Sequence, residues 1–261
     1  MELIAPPHWH CVDFISDLHL DAQAPLTLEA LRCYLQSTPA QAVCVLGDLF
    51  DVWVGDDALG GGSGFEATVA HLFSQESKHM DVFIMCGNRD FLMGPDLMVA
   101  CGAQRLSDPC VLVAGTQRLL LTHGDALCLA DTDYLAFRQR VRGEPWQTEF
   151  LAQTLVQRQE AARALRAQSE AKKQQQAQSL MQWIDLDSQA CLAALAHAKA
   201  NHMVHGHTHQ PAQHDLGGGH TRWVLSDWDL HAAPLRAQVL RLSVDAGALE
   251  RIDLLATATI P

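Results

Sequence analysis

The sequence predicts an α/β fold with a layered arrangement of strands and helices. Over the first half of the chain, apolar strand-like segments alternate with segments of helical spacing, in the order β-α-β-α-β, and two further strands follow. Five of the apolar segments along the chain end directly in Asp, Asn or His residues. Because ligands bind at the carboxyl ends of strands in open α/β sheets, this repetition predicts a functional site at one edge of the fold.

Each of the five apolar segments leads into a short polar motif. The segments cover residues 11–16, 42–46, 81–86, 118–122 and 202–205, and they are followed by Asp17-Leu18-His19, Gly47-Asp48, Gly87-Asn88-Arg89-Asp90, His123-Gly124-Asp125 and Gly206-His207-Thr208-His209. The segment before Gly47 consists of small and β-branched residues, which is typical of a strand buried on both faces. A single motif of this kind occurs by chance, but five at successive strand ends indicate one shared site.

The segments between these strands predict two helices and a hairpin. Residues 26–36 and 65–77 carry apolar side chains at helical spacing. Residues 111–122 form two apolar runs separated by a Gly-containing triplet, which favours a hairpin. Nearer the C-terminus, residues 222–225 and 236–242 alternate in polarity, so we expect half-exposed antiparallel strands there.

The composition changes between the fourth and fifth motifs. Residues 146–205 contain neither Gly nor Pro and are rich in Ala, Gln and Arg, which predicts two or three helices. We therefore expect a core formed by residues 1–133 and 184–261, with a helical cap inserted over residues 134–183. Residues 138–173 hold eight of the 18 Lys and Arg residues and four acids, and are therefore net +4 in a chain of net charge −12. This stretch is either a solvated helical face or a cap that binds an anion above the site.

Charge and cysteine usage exclude several classes of protein. A chain of net charge −12 lacks the basic footprint of a general nucleic-acid-binding protein. None of its eight cysteines belongs to a C-x-x-C pair and several lie in apolar strands, which indicates core residues in a reducing compartment. Residues 1–10 show no secretory signal pattern, and no apolar run approaches the roughly 18 residues of a transmembrane helix. We expect a cytoplasmic protein that contacts a membrane, if at all, with one face.

The side chains of the five motifs suit divalent metal ions. Asp, Asn and His bind borderline-hard divalent cations, and because no Cys occupies a motif position we expect neither a structural zinc site nor an iron–sulfur cluster. Seven such ligands are too many for one ion, but they suit two ions that share a carboxylate and clamp the oxygens of a phosphoryl displacement. His207 and His209 are two residues apart, so on an extended loop both rings would face the same metal cluster.

Taken together and in this order, the motifs resemble those of the calcineurin-like metallophosphoesterases. The resemblance spans residues 17–209, with one departure: most of that family has His after the Asn of the third motif, whereas this chain has Arg89. With Arg89, residues 48–57 and residues 123–128, the chain is similar to one family within that group, the bacterial UDP-2,3-diacylglucosamine pyrophosphatases of lipid A biosynthesis. The similarity continues through Asp131 into the predicted cap.

The resemblance implies a fold, a reaction and a metal. The fold would be a layered sandwich of two mixed sheets flanked by helices, with the helical cap inserted. The reaction would be hydrolysis of the pyrophosphate of UDP-2,3-diacylglucosamine to UMP and 2,3-diacylglucosamine 1-phosphate, with two manganese ions in the site. Such an enzyme would be cytoplasmic and peripherally associated with the inner membrane, with a lipid-linked nucleotide and no nucleic acid as its partner.

The resemblance also assigns roles by position. One metal ion would be bound by Asp17, His19, Asp48 and His209. The other would be bound by Asp48, Asn88, His123 and His207, so that Asp48 bridges the two. The catalytic residues would be Asn88, Arg89 and His123. The substrate would contact Asn88, Arg89, Asp131, Ser169, His207 and, in place of a family Lys without a clear match, Lys172 or Lys173. Independently of the resemblance, the apolar residues of the predicted cap suggest that the acyl chains lie against Leu151, Leu155, Val156 and Leu165, unless these residues only pack the cap onto the sheet.

The chemistry of the residues agrees with this reading and leaves two alternatives. Arg89 is a planar cation suited to bidentate phosphate contact. One alternative is a metallophosphoesterase that acts on soluble nucleotide pyrophosphates or phosphodiesters; Arg89 and the long insertion count against it. The other is a binding scaffold that has the fold without catalysis; the complete set of ligands counts against that.

Overall fold

In the computed structural model, the chain forms a layered sandwich of two six-stranded sheets with helices on both outer faces. The structure describes residues 1–178, 185–231 and 233–256, and the side chains of all of these except 167–178. The strands are β1 (Glu2–Ile4), β2 (Cys11–Ile15), β3 (Ala42–Leu46), β4 (Asp81–Met85), β5 (Gln104–Leu106), β6 (Cys110–Ala114), β7 (Gln117–Thr122), β8 (His202–His205), β9 (Ala212–Gly217), β10 (His220–Val224), β11 (Gln238–Ser243) and β12 (Ala248–Asp253). The helices are α1 (Pro25–Ser37), α2 (Phe65–Glu76), α3 (Pro95–Cys101), α4 (Thr132–Val141), α5 (Glu144–Leu151), α6 (Leu155–Gln178) and α7 (Ser188–Ala198).

Both sheets are mixed, as the sequence predicts. The first sheet has the order β12-β11-β2-β3-β4-β5, in which β2 to β5 are parallel and β11 is antiparallel to both of its neighbours. The second sheet has the order β1-β6-β7-β8-β10-β9, with β7, β8 and β10 parallel. The parallel strands of each sheet therefore end at one edge of the sandwich.

Strand β3 shows how the sequence produces these layers. Its side chains alternate between two apolar clusters, and all of them are buried. Val43 and Val45 pack with α1, α2 and α3 on the outer face of the first sheet, whereas Cys44 and Leu46 pack between the two sheets. A third, smaller cluster lies under α7 on the outer face of the second sheet. A strand buried on both faces needs no polar alternation, which explains its continuous apolar run.

Most of the predicted elements are confirmed, with one correction in pairing. The helices expected over residues 26–36 and 65–77 are α1 and α2, and the expected hairpin is the antiparallel pair β6 and β7. Residues 222–225 were expected in an antiparallel strand, but β10 pairs parallel with β8 on one side and antiparallel with β9 on the other. The half-exposed pattern is that of a strand near the sheet edge, which does not distinguish the two directions.

The inserted segment contains three helices, α4 to α6, before the sandwich resumes with α7. The four leucine and valine residues expected to line an acyl-chain site lie on two helices, and their role stays a prediction. Leu155 packs against the core cluster of the first sheet, whereas Leu151, Val156 and Leu165 are 43%, 61% and 40% exposed. The division into a core and a cap domain at residues 134 and 183 stays a prediction.

Candidate metal centre

The predicted ligands converge at the edge where the parallel strands of both sheets end. Asp17, His19, Asp48 and Asn88 follow β2, β3 and β4 of the first sheet. His123 follows β7, and His207 and His209 follow β8, in the second sheet. Parallel strands deliver their carboxyl-terminal loops to the same edge, so residues more than 100 positions apart meet here.

One group of ligand atoms comes from Asp17, His19 and His209, whose ligand atoms lie within 4.8 Å of one another. The Nε2 atoms of the two histidines are 3.1 Å apart, and His209 Nε2 is 3.3 Å from Asp17 Oδ1. The other oxygen of Asp17 accepts hydrogen bonds from Ser16 Oγ and from the backbone N–H of His207. Oδ1 is buried and receives no hydrogen bond of good geometry from the described residues.

A second group comes from Asp17, Asp48 and His123, again within 4.8 Å. Asn88 Oδ1 lies beside this group, 2.9 Å from His123 Nε2 and 2.9 Å from His207 Nδ1. Asp17 therefore belongs to both groups, while Asp48 Oδ1 is 3.8 Å from His123 Nε2 in the second. The assignment of Asp48 as the bridging ligand stays a prediction.

The tautomer of His123 shows that these atoms suit a cation. The Nδ1 atom of His123 lies 3.0 Å from the Leu46 carbonyl, to which it donates a hydrogen bond. In the neutral ring, the Nε2 lone pair then faces the acceptor oxygen of Asn88, and two acceptors at that distance require a positive charge between them. Burial alone would lower the pKa of His123, but the nearby Asp48 and Asp17 carboxylates raise it to about 9. The arrangement of acceptors around Nε2 therefore suits a metal ion.

The backbone around these ligands is conformationally unusual. Among the described non-glycine residues, positive φ angles occur at six positions, and five of these are predicted ligands: Asp17, His19, Asp48, His207 and His209. Such angles are uncommon outside glycine and cluster at functional sites. The expectation that His207 and His209 project from an extended loop is therefore wrong. Both have left-handed φ angles, and they contact different groups, His207 with Asn88 and His209 with Asp17 and His19.

Arg89 lies beside the ligands without belonging to either group. Its backbone N–H donates to Asp48 Oδ1 at 2.8 Å, which fixes the start of the side chain. Its guanidinium donates to Asp51 Oδ1 at 3.2 Å, and its Nε is 3.9 Å from Asp48 Oδ2. The side chain is 22% exposed, so it is partly accessible from solvent. A guanidinium cannot coordinate a cation, and this position suits contact with an anion held at the metal centre.

Two aspartates that the sequence analysis did not single out support the ligands. The buried carboxylate of Asp90 accepts from the backbone N–H groups of Leu49 and Gly87, so it ties the Asp48 loop to the Asn88 loop. Asp227 lies 3.6 Å from His209 Nδ1 and is itself held by Arg236. Asp227 follows β10, and recognising that strand as parallel would have indicated a sixth loop at the same edge.

The basic residues of the insertion contact the core. The guanidinium of Arg138 donates to buried Asp125 at 2.8 Å, and Arg142 donates to the Gly87 carbonyl at 2.8 Å. Two arginines of α6 reach acidic loops that follow β3: Arg158 pairs with Asp57, and Arg166 pairs with Asp51. Four of the eight Lys and Arg residues in 138–173 therefore hold the inserted helices against the edge that carries the candidate ligands. The sequence analysis expected these residues to face solvent or an anion and did not anticipate contacts with acids of the core.

The predicted substrate residues in the insertion and just before it are only partly described. Asp131 is the N-cap of α4, where its side chain accepts from the Tyr134 backbone N–H at 3.1 Å. Ser169, Lys172 and Lys173 belong to the stretch of α6 whose side chains lie outside the described residues. The substrate roles of these four residues therefore stay predictions.

Comparison with known proteins adds a family and several relatives. A family model for calcineurin-like phosphoesterases matches residues 12–211. A protein of Bordetella pertussis named UDP-2,3-diacylglucosamine hydrolase is 40% identical over 245 residues, covering 92% of this chain and 93% of its own. Proteins of the same name from Cellvibrio japonicus (40% over 220 residues, 82% and 90% covered) and Xanthomonas axonopodis pv. citri (39% over 252 residues, 92% and 98% covered) are also similar. Among the described residues, no helix combines the length and hydropathy that crossing a bilayer requires.

Proposed function

The chain belongs to the calcineurin-like phosphoesterases as a metal-dependent hydrolase, and from this premise we propose that it cleaves the pyrophosphate bond of UDP-2,3-diacylglucosamine. The products would be UMP and 2,3-diacylglucosamine 1-phosphate. The relatives that carry this substrate in their name are about 40% identical over most of the chain. The structural observation that carries the proposal is the cap, whose arginines reach the metal-ligand face while three of its large apolar side chains are exposed.

We propose two manganese ions as the cofactor. The nitrogen and oxygen donors suit borderline-hard divalent ions generally, and the choice of manganese rests on the resemblance to the family. One ion would be held by Asp17, His19, Asp48 and His209, and the other by Asp48, Asn88, His123 and His207. When bound, divalent ions lower the pKa of water and withdraw charge from phosphate oxygens.

The chain's own residues would orient the pyrophosphate. Arg89 has donors free of Asp51 that can bind two phosphate oxygens at once. Asn88 Oδ1 faces His123 and His207, so its amide N–H₂ group is turned away from both rings and can donate to the substrate. His123 is fixed by the Leu46 carbonyl at 3.0 Å, which keeps its Nε2 directed at the reaction centre. Water would attack one phosphorus, and the bond from that phosphorus to the bridging oxygen would break.

We further propose that the cap binds the acyl chains and associates with the membrane surface that supplies them. Leu151, Val156 and Leu165 are the candidates, because each exposes at least 40% of its surface on α5 or α6. Each methylene removed from water contributes about 0.8 kcal/mol, so even a few buried methylenes would favour the lipid-linked nucleotide over a soluble one. Exposed apolar side chains of this kind also suit peripheral contact with a bilayer.

The proposal is tested by comparing substrates in the wild type and in a cap variant. We expect kcat/KM for the diacylated substrate to exceed that for UDP-glucose, a soluble nucleotide pyrophosphate, by more than about a hundredfold. Val156→Asp should lower kcat/KM for the lipid substrate and leave a small chromogenic phosphodiester unaffected. Val99→Asp, at an 82% exposed position on α3, is the matched control and should change neither. Equal rates on both nucleotides would favour the alternative of a soluble-substrate phosphoesterase.

A further inference from the structure

Asp51 is a nearly buried carboxylate that belongs to neither group of ligand atoms. It closes the loop that begins with Asp48, and its residue surface is 6% exposed. Its backbone N–H donates to the Leu20 carbonyl at 3.1 Å, so its main chain is already fixed. Burying a carboxylate is unfavourable unless it is paired, so the partners of the side chain explain why an acid stands here.

Among the described residues, the side-chain partners of this carboxylate are two arginines, and they come from different parts of the fold. Oδ1 accepts from Arg89 Nη1 at 3.2 Å, and Oδ2 pairs with Arg166 Nη1 of α6. One carboxylate therefore bridges the arginine beside the metal centre and an arginine of the inserted helices. Within residues 1–166, 185–231 and 233–256, Asp51 is the acid placed against the Arg89 guanidinium, apart from the 3.9 Å approach of Asp48 to Nε.

Arg89 needs a contact of this kind to hold one orientation. Its backbone is anchored at both ends, since its N–H donates to Asp48 and its carbonyl accepts from the Trp53 N–H at 3.1 Å. These bonds do not restrict the rotatable bonds of the side chain. Asp51 holds one edge of the guanidinium through Nη1, and the remaining donors of the planar fork are left for a phosphate.

Helix α6 is attached to the core along one face that ends at Asp51. Leu155, Arg158, Ala162 and Arg166 follow one another at helical spacing, so they lie on the same side. Leu155 and Ala162 pack against the core cluster, and buried Arg158 donates to the Val54 carbonyl and pairs with Asp57. Two turns further on, Arg166 reaches Asp51. The placement of α6 and the orientation of Arg89 thus depend on the same carboxylate.

We propose that Asp51 is a positioning residue that orients Arg89 for phosphate contact and couples this orientation to the docking of α6. The assignment rests on the proposed function, in which Arg89 binds the pyrophosphate and the cap binds the acyl chains. Binding of the substrate at the cap would then hold Arg89 in the orientation in which it stabilises charge in the transition state. Binding energy from the lipid, remote from the reacting phosphorus, is in this way used to raise kcat.

Asp51→Asn tests the assignment, because it keeps the shape and one acceptor oxygen while removing the charge. We expect kcat to fall by about tenfold to a hundredfold, as for a misplaced catalytic group, with KM changed by less than about threefold. In an Arg89→Ala background the same substitution should cause no further loss of kcat, because its effect acts through Arg89. Asp51→Glu, which restores the charge, should recover part of the rate.

The coupling to α6 is tested by a readout that does not depend on turnover. Asp51→Asn and Arg166→Gln should both accelerate hydrogen exchange in peptides that cover residues 155–166, and combining them should add little. Arg163→Gln is the matched control, because Arg163 is an exposed arginine of the same helix and its guanidinium donates to the Gln159 carbonyl. It should leave both exchange and kcat unchanged.

The failure of this assignment is distinguishable from that of the proposed function. Turnover of the lipid-linked nucleotide by the wild type decides the substrate, whereas the ratios between variants decide the role of Asp51. If the wild type cleaves only a small phosphodiester, the same ratios are measured on that substrate. A wild-type kcat in Asp51→Asn, an equal loss with and without Arg89, or unchanged exchange in α6 would overturn the assignment.

Discussion

The tight contact between Gly87 and Asp48 gives the sharpest prediction about the metal centre. A Cβ atom on Gly87 would lie 2.1 Å from Asp48 Oδ1 and 2.4 Å from the Asp48 backbone nitrogen. Ordinary contacts begin near 3.4 Å, so Gly87→Ala requires the Asp48 carboxylate to move by about 1.3 Å and the Asp48 backbone by about 1 Å. Gly87 has no positive φ angle, so its backbone conformation itself tolerates alanine. The substitution therefore acts through the displaced ligand.

The expected effect is large on catalysis and modest on stability. A displacement of about 1 Å in a reacting group costs on the order of 10²-fold in rate, so kcat should fall at least that far. Overpacking costs about 1–3 kcal/mol, and alanine recovers about 0.4–1 kcal/mol by restricting the unfolded chain, so the protein should still fold.

The assay combines metal content by plasma mass spectrometry, thermal unfolding and turnover on the same preparation. Gly143→Ala is the control, because Gly143 has φ −75° and its added Cβ would lie 3.2 Å from the Arg140 carbonyl, which can give slightly. We expect Gly87→Ala to lose bound manganese and activity together, while Gly143→Ala keeps both. A Gly87→Ala protein with the wild-type metal content and rate would refute the claim that Asp48 is a ligand held by this contact.

Three further predictions address separate contacts. Arg89→Ala should keep its manganese and lose roughly 10²- to 10³-fold in kcat, as when another electrostatic stabiliser is removed; loss of the metal instead would contradict its assignment to phosphate. Chelation should lower the Tm, and manganese at 100 times its Kd should restore about 2.7 kcal/mol of stability; a Tm independent of manganese would argue against a site in the folded state. Asp185→Asn should lower the free energy of unfolding, measured with denaturant at pH 7, by about 1 kcal/mol, because it leaves buried Arg222 without its carboxylate partner. The expected loss is small because Asp185 is half exposed and solvent screens the ion pair. Hydrogen bonds from Arg222 lower the pKa of Asp185. The ionised carboxylate therefore stabilises the folded protein at pH values above the ordinary pKa range of Asp. The difference in unfolding free energy between the wild type and the variant should vanish as the pH falls below that range.

The convergence of the candidate ligands at one edge was predictable from the sequence because they follow buried parallel strands. The apolar run 42–46 identifies a central strand, and the topology of such a sheet fixes where Asp48 must emerge. The backbone conformation of the ligands was less accessible. His207 and His209 have left-handed backbones and separate into different groups, and a pattern of alternating residues carries no information about a sign change in φ.

The contacts that hold the insertion were not predictable from the sequence. The excess of basic residues between 138 and 173 indicated either a surface exposed to solvent or one that binds an anion. Arg138 and Arg158 instead contact aspartates of the core, one of them buried and the other in a loop. Long arginine side chains contact partners that tertiary packing selects, and sequence spacing does not encode which acid they meet. The same holds for Asp227, which supports His209 only because β10 lies parallel to β8.

The most direct test of the central claim is identification of the products by ³¹P NMR. UDP-2,3-diacylglucosamine is incubated with the manganese-loaded wild type, and the phosphorus signals are followed until the pyrophosphate doublets disappear. The account predicts two phosphomonoester signals of equal intensity, from UMP and from 2,3-diacylglucosamine 1-phosphate, and none when manganese is withheld. Release of UDP and the free diacyl sugar, or an unchanged pyrophosphate while soluble phosphodiesters are hydrolysed, would contradict it.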